Sequence, residues 1–129
     1  MATWEAVKGF ISMKFNVTEI SDGDALKMLF DVGGGRSQLV FVEHAYNDQA
    51  DYIQVLSPVG DIPQVNIVEV ARDVGKKVLG GVVLVDNRMY LTHSAPLADI
   101  DENEILEPIH RICAMADELE QHYLGTDEF

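Results

Sequence analysis

The sequence predicts a single α+β domain in which an antiparallel sheet is packed by N- and C-terminal helices. Three observations carry that expectation. Between residues 17 and 96 the apolar residues mostly alternate with polar ones or gather in short β-branched and aromatic runs, which is strand patterning. Helical spacing is confined to the two ends and one middle segment. The elements then follow as α-β-β-β-β-α-β-β-α, without the strand–helix alternation of a doubly wound sheet, so an antiparallel sheet with helices on one side or end is the natural solution. With 129 residues, 47% of them hydrophobic and 24% charged, the chain can fill one core and has little left for a second.

Taken in order, Trp4, Val7, Ile11 and Phe15 recur at helical spacing behind a suitable N-cap, Thr3, and predict a helix over about 4–14. "KFNVTEI" reads as a short strand and "SDGD" as a turn. In "ALKMLFDV" the residues Leu26, Met28, Phe30 and Val32 alternate with the rest, a period of two. "SQLVFVEHA" and "DYIQVLSPV" are further strands, the second closed by Pro58. Ile67, Val70, Ala71 and Val74 fit one helical face, with Pro63 suited to the start and Gly75 to the end. "GGVVLVDNRMYLTHSAP" is a hairpin with Asp86-Asn87 at its turn. The last helix is the best signalled: Asp101 and Glu104 form a capping-box pair, Ile100 and Ile105 occupy the staple positions, and Ile105, Ile109, Ile112, Ala116, Leu119 and Tyr123 make one apolar stripe. Gly125 is the expected terminator. Pro108 lies too deep for the first turn and predicts a kink or a break.

The run "DVGGGRSQLVFV" raises the possibility of a phosphate-binding loop. Such a loop lies between a strand and a helix N-terminus, which supplies amides and dipole. Here the glycines join two strands, and the third glycine of a dinucleotide fingerprint falls on Gln38. "VGKKV" lacks the Walker spacing. A hairpin tip needs positive φ, which glycine supplies without steric cost, and that is the reading adopted.

The hairpin's register decides which side chains share a face. A three-residue loop places Val40 and Val42 with Met28 and Phe30, and leaves Leu29, Leu39 and Phe41 opposite. A two- or four-residue loop exchanges the sets. Either way the ribbon is apolar on both sides. One face meets the domain's own helices; the other needs cover, from residues of the chain or from a partner, and a partner or second subunit is the expectation. Leu29, Leu39, Val40, Phe41 and Val42 are therefore the candidate partner or dimer surface.

Net charge is −13, which disfavours nucleic acid and anionic membrane. From Asp99 onward there are ten Asp or Glu and one Arg, read as a solvated helix face, with a docking surface for a basic partner as the sharper alternative. The single cysteine, Cys113, forms no intrachain disulfide. The N-terminus does not read as a secretory signal, and no apolar run approaches a membrane span, so a cytoplasmic location is expected.

Chemistry-bearing patterns are few. His44, His93, His110 and His122 stand at no metal-site spacing; His110 and Cys113 are three apart on the last helix, but two ligands make no site. Cys113 lies among acidic and apolar residues, which oppose a thiolate. Glu102, Glu104 and Glu107 are explained by the helix dipole. No catalytic residue, metal or cofactor is expected. A small-molecule-sensing domain is the alternative reading, with a polar pocket drawn from residues such as Arg36, His44 or Arg88.

The segments "YIQVLSPVGDIP" and "MYLTHSAPLADIDENEILEPIHRICAMADELE", together with the element order, give a resemblance. The chain resembles the YbjN family and the type III secretion chaperone-like fold. The first segment is similar to that family's strand ending in Ser-Pro before the middle helix. The second is similar to its final strand, its "PL" link and its last helix, with the Ala-Asp-x-Leu-Glu ending on Ala116, Asp117, Leu119 and Glu120. Pro108 departs from the uninterrupted last helix of that pattern. The resemblance implies a homodimer, no catalytic residue, no metal and no cofactor. It also implies a regulatory or chaperone-like role in binding partly unfolded client segments.

Overall fold

The computed structural model of the chain describes residues 3–77 and 80–124. Helix α1 spans Trp4–Lys14, and the Thr3 hydroxyl accepts from the Ala6 N–H at 3.2 Å. Its inward face is Trp4, Val7 and Ile11, all buried; full burial of side chains such as Val7 and Ile11 contributes about 1.5–3 kcal/mol each. The strands are β1 (Thr18–Ile20), β2 (Ala25–Gly33), β3 (Arg36–Tyr46), β4 (Asp51–Asp61), β5 (Gly81–Val85) and β6 (Arg88–Pro96). All pairings are antiparallel, and the sheet order is β1-β2-β3-β4-β6-β5. Helix α2 (Ile67–Val74) connects β4 to β5, and α3 (Glu102–Tyr123) follows β6. The architecture is α+β, as the patterning predicts.

The three glycines form the β2–β3 hairpin. Gly33, Gly34 and Gly35 all have positive φ (91°, 61° and 76°), so each uses glycine's freedom from a Cβ. Gly33 pairs with Arg36, and a bulge between Asp31 and Gly33 then shifts the register so that Met28 faces Val40 and Leu29 faces Leu39. The bulge restores the facing expected of a three-residue loop.

One face of the sheet holds the core. Leu26, Met28, Val40, Val42, Ile53 and Val55 are buried there against Val7 and Ile11 of α1 and Ile105, Ile109 and Ile112 of α3. Trp4 stacks on His44 of β3, and Phe15, Phe30 and His110 meet edge to face. Both terminal helices therefore lie on the same side of the sheet.

Three prolines behave differently from expectation. Pro58 does not close β4, which continues to Asp61. The β3 ladder ends at Leu56, while pairing to β6 runs on through a bulge between Pro58 and Gly60, so the missing N–H costs no ladder bond to β3. Gln38 and Ser57 take over where β3 and β4 part: Gln38 Nε2 donates to Ser57 Oγ and to the Pro58 carbonyl, both at 2.8 Å, and the Ser57 hydroxyl donates to the Leu39 carbonyl. Both polar side chains are buried, and these bonds satisfy the Gln38 amide N–H and the Ser57 hydroxyl, whereas Gln38 Oε1 is buried without a partner among the described residues.

Pro63 does not start α2. It lies in the preceding turn, and Asn66 is the cap, its side chain accepting from the Val68 and Glu69 amides. Pro108 does not break α3, which is continuous from Glu102 to Tyr123. It forfeits the one bond to the Glu104 carbonyl, and the buried stripe Ile105, Ile109, Ile112, Ala116 and Leu119 holds the helix to the sheet regardless. The capping box is formed, with the Glu104 amide donating to Asp101 Oδ1 at 2.8 Å and the Asp101 amide to Glu104 Oε1 at 3.1 Å. Leu124 is the C-cap, and Gly125 lies outside the described residues. No helix among the described residues is long and apolar enough to cross a membrane.

Candidate functional site

The buried side chains of α1 and α2, like most of those of α3, join the cluster on the core face of the sheet. The other face carries Lys27 and Leu29 of β2, Leu39, Phe41 and Glu43 of β3, Gln54 and Leu56 of β4, Tyr90 of β6, and Val83 and Val85 of β5, as the two-residue alternation and the strand register require. Of the five residues the sequence nominates as a partner surface, Leu29, Leu39 and Phe41 lie on this face. Val40 and Val42 do not: both are wholly buried in the core, because the bulge at Val32 fixes the register that turns them inward.

This face is concave. Ile20, on edge strand β1, and Val83 and Val85, on the opposite edge strand β5, line one trough of about 300 Å³. A flat six-stranded sheet separates its edge strands by about 24 Å, so both edges reach one small trough only because the sheet curls toward this side. Phe41, Glu43, Gln54, Leu56 and Tyr90 complete the lining. The curl buries Leu56 to 7% exposure although it lies outside the core cluster that the described helices cover, whereas Leu29, further along the ribbon, is 65% exposed.

Glu43 supplies the carboxylate of the trough. Burial raises its carboxyl above the ordinary glutamate value, and no other cause contributes. Among the described residues it joins none of the ion pairs. Lys27, diagonal to it across β2, is exposed. Gln54 stands opposite Glu43 in the β3–β4 register and donates to Thr92 Oγ1 at 3.1 Å. The trough thus combines apolar walls, two aromatic rings and one carboxylate without a cation. Sequence reasoning missed Ile20, Glu43, Gln54, Leu56, Val83, Val85 and Tyr90. The available signal was that "VLSPV" and "GVVLV" are apolar at odd and even positions alike, as strands covered on both faces are.

The residues considered for a small-molecule pocket do not converge. Arg36 and His44 are eight positions apart on β3, about 27 Å along an extended strand. Arg36 binds Asp117 and Glu120 of α3. His44 stacks on Trp4 and meets Tyr46 at a tilt, with Asp24 and Asp51 each 3.7 Å away. Arg88 donates to Asp61 at 2.8 Å beside the β5–β6 turn. His110 is exposed while Cys113 is buried, so the pair shares no site. Burial pushes the Cys113 thiol up to about 11, with Asp117 adding to the rise. Glu104 is spent on the capping box and Glu107 pairs with Arg111 at 3.4 Å. Among the described residues no group of three or more His, Cys, Asp or Glu is placed to hold a metal ion.

No protein-family model and no curated protein matches the sequence.

Proposed function

We propose that the protein is a non-enzymatic, dimeric protein-binding module of chaperone-like type, which holds extended segments of client polypeptide on the concave face of its sheet. The observation that carries this reading is the apolar face of Leu29, Leu39, Phe41, Leu56, Val83 and Tyr90, over which none of the described helices packs. An apolar trough rimmed by polar residues and left open by the helices suits a protein contact. An extended segment suits it because alternate side chains of a strand point one way, and the trough receives such a row. The acidic surface keeps the protein soluble and favours basic clients.

A second copy fits elsewhere. Ile67 and Val68 of α2 and Leu84 of edge strand β5 are 42–54% exposed, and α2 packs beside β5. The outer edge of β5 offers unpaired backbone groups to an identical strand.

Two measurements test this. Fluorescence anisotropy with labelled unfolded polypeptides should show micromolar binding that Leu39→Glu abolishes; indifference at several hundred micromolar removes the proposal. Light scattering coupled to size exclusion should give twice the chain mass, falling to one chain in Leu84→Lys. A monomeric wild type removes the dimer alone.

A further inference from the structure

The trough is not merely apolar, and its charge pattern selects what enters it. Glu43 holds a carboxylate in surroundings that disfavour ionisation, yet among the described residues it forms no ion pair, and its diagonal neighbour Lys27 stays exposed. A half-buried charge left unpaired is costly, and the cost is recovered when a counter-charge arrives with the stem to fill the apolar space around it. Phe41 and Tyr90 add ring faces that attract a cation. The Gln54 amide uses its N–H on Thr92, and its carbonyl oxygen is the acceptor left over by that bond.

We infer that the trough is the seat of one lysine or arginine side chain of the bound segment, its stem against Phe41, Leu56 and Val83 and its cationic end on Glu43. This rests on the client-binding reading above and names the residue class that fixes the segment's register. The residues two positions away on either side of it would face the same side of the segment, since side chains of an extended segment recur on one face every second residue. A long stem with a charged tip suits this geometry: it buries its methylenes while the head stays at the carboxylate.

The test is a two-by-two titration by fluorescence anisotropy. Two labelled peptides share the same alternating apolar pattern and differ only at the centre, lysine in one and norleucine in the other. Each is titrated with wild type and with Glu43→Gln, whose folding is checked by circular dichroism. The expected result is a preference of about tenfold for the lysine peptide in wild type, the scale of one charge-assisted hydrogen bond. That preference should vanish in Glu43→Gln, with affinity for the norleucine peptide unchanged or improved. Equal affinity of wild type for both peptides overturns the inference and leaves the client-binding reading intact. A lysine preference that survives in Glu43→Gln also overturns it, assigning the effect to the acidic surface as a whole. Binding of neither peptide overturns both.

Discussion

Arg36, the first residue of β3, donates from Nε to Asp117 at 3.0 Å and from Nη2 to Glu120 at 3.4 Å, and the Glu120 side chain is completely buried. The contact ties the hairpin end of β3 to the far half of α3. Arg36→Met keeps the bulk and removes the charge, leaving a buried carboxylate without its guanidinium. The expected loss of stability is about 3 kcal/mol, the scale for removing one partner of a buried pair. Arg88→Met, acting on a pair with Asp61 that is about 40% exposed on both sides, should cost less than about 1 kcal/mol. Urea unfolding of the two variants measures the contrast; equal losses would contradict the difference in burial.

Gly60 and Gly9 should respond to alanine with opposite signs. A Cβ on Gly60 would overlap Val65 Cγ2 and stand 3.1 Å from Leu124 Cδ1, and Val65 is almost fully buried, so it does not yield freely. Gly60→Ala should destabilise by about 1–3 kcal/mol, and adding Val65→Ala should recover part of that loss through the coupling of touching residues. Gly9 is inside α1 with nothing within 4 Å of its missing Cβ. Gly9→Ala should stabilise by up to about 1 kcal/mol. Thermal unfolding of the three variants reads both signs.

Cys113 should be inert in the folded protein. Its thiol, buried under α3 and raised to about 11, carries roughly one part in a thousand thiolate at pH 8. Reaction with an aromatic disulfide reagent should follow global unfolding and accelerate sharply in urea. Rapid stoichiometric labelling in buffer would show that the helix opens locally.

The boundary between what the residues disclose and what they withhold follows the range of the interactions. Thr3, Asn66, the Asp101–Glu104 pair, the three hairpin glycines and Asp86-Asn87 act within four residues. The caps read from the sequence, Thr3, Gly75 and the Asp101–Glu104 pair, and both turns stand where their chemistry puts them. The prolines depart from their local expectation because their cost depends on distant partners. Pro58 is tolerated since β6, not β3, carries the ladder at that point, and Pro108 since the sheet holds α3 in place. Register was left open between two alternatives until the bulge before Gly33 decided it, and with it the burial of Val40 and Val42. The trough was illegible for the same reason in stronger form. It needs Ile20 and Val83 from opposite ends of the sheet order, and nothing local in "TEI" or "GVVLV" announces that the edges approach each other.

Glu43 links the trough to a pH-dependent stability with a definite sign. Burial raises its pKa in the folded protein above the ordinary value of 4.5 that it takes when unfolded. The native state therefore binds this proton more tightly than the unfolded chain, and the favourable contribution is complete below the unfolded pKa. It is lost as pH rises through the folded pKa, because the carboxylate must then ionise among Phe41, Leu56 and Val83. Glu43→Gln carries no such penalty. Its melting temperature should exceed that of wild type at pH 7, and the gap should close as pH falls toward 4.5 while other carboxylates titrate equally in both proteins. Paired thermal unfolding across that interval is the measurement. A gap independent of pH would mean that Glu43 ionises as freely in the trough as in water, and that the trough is wetter than its apolar lining implies.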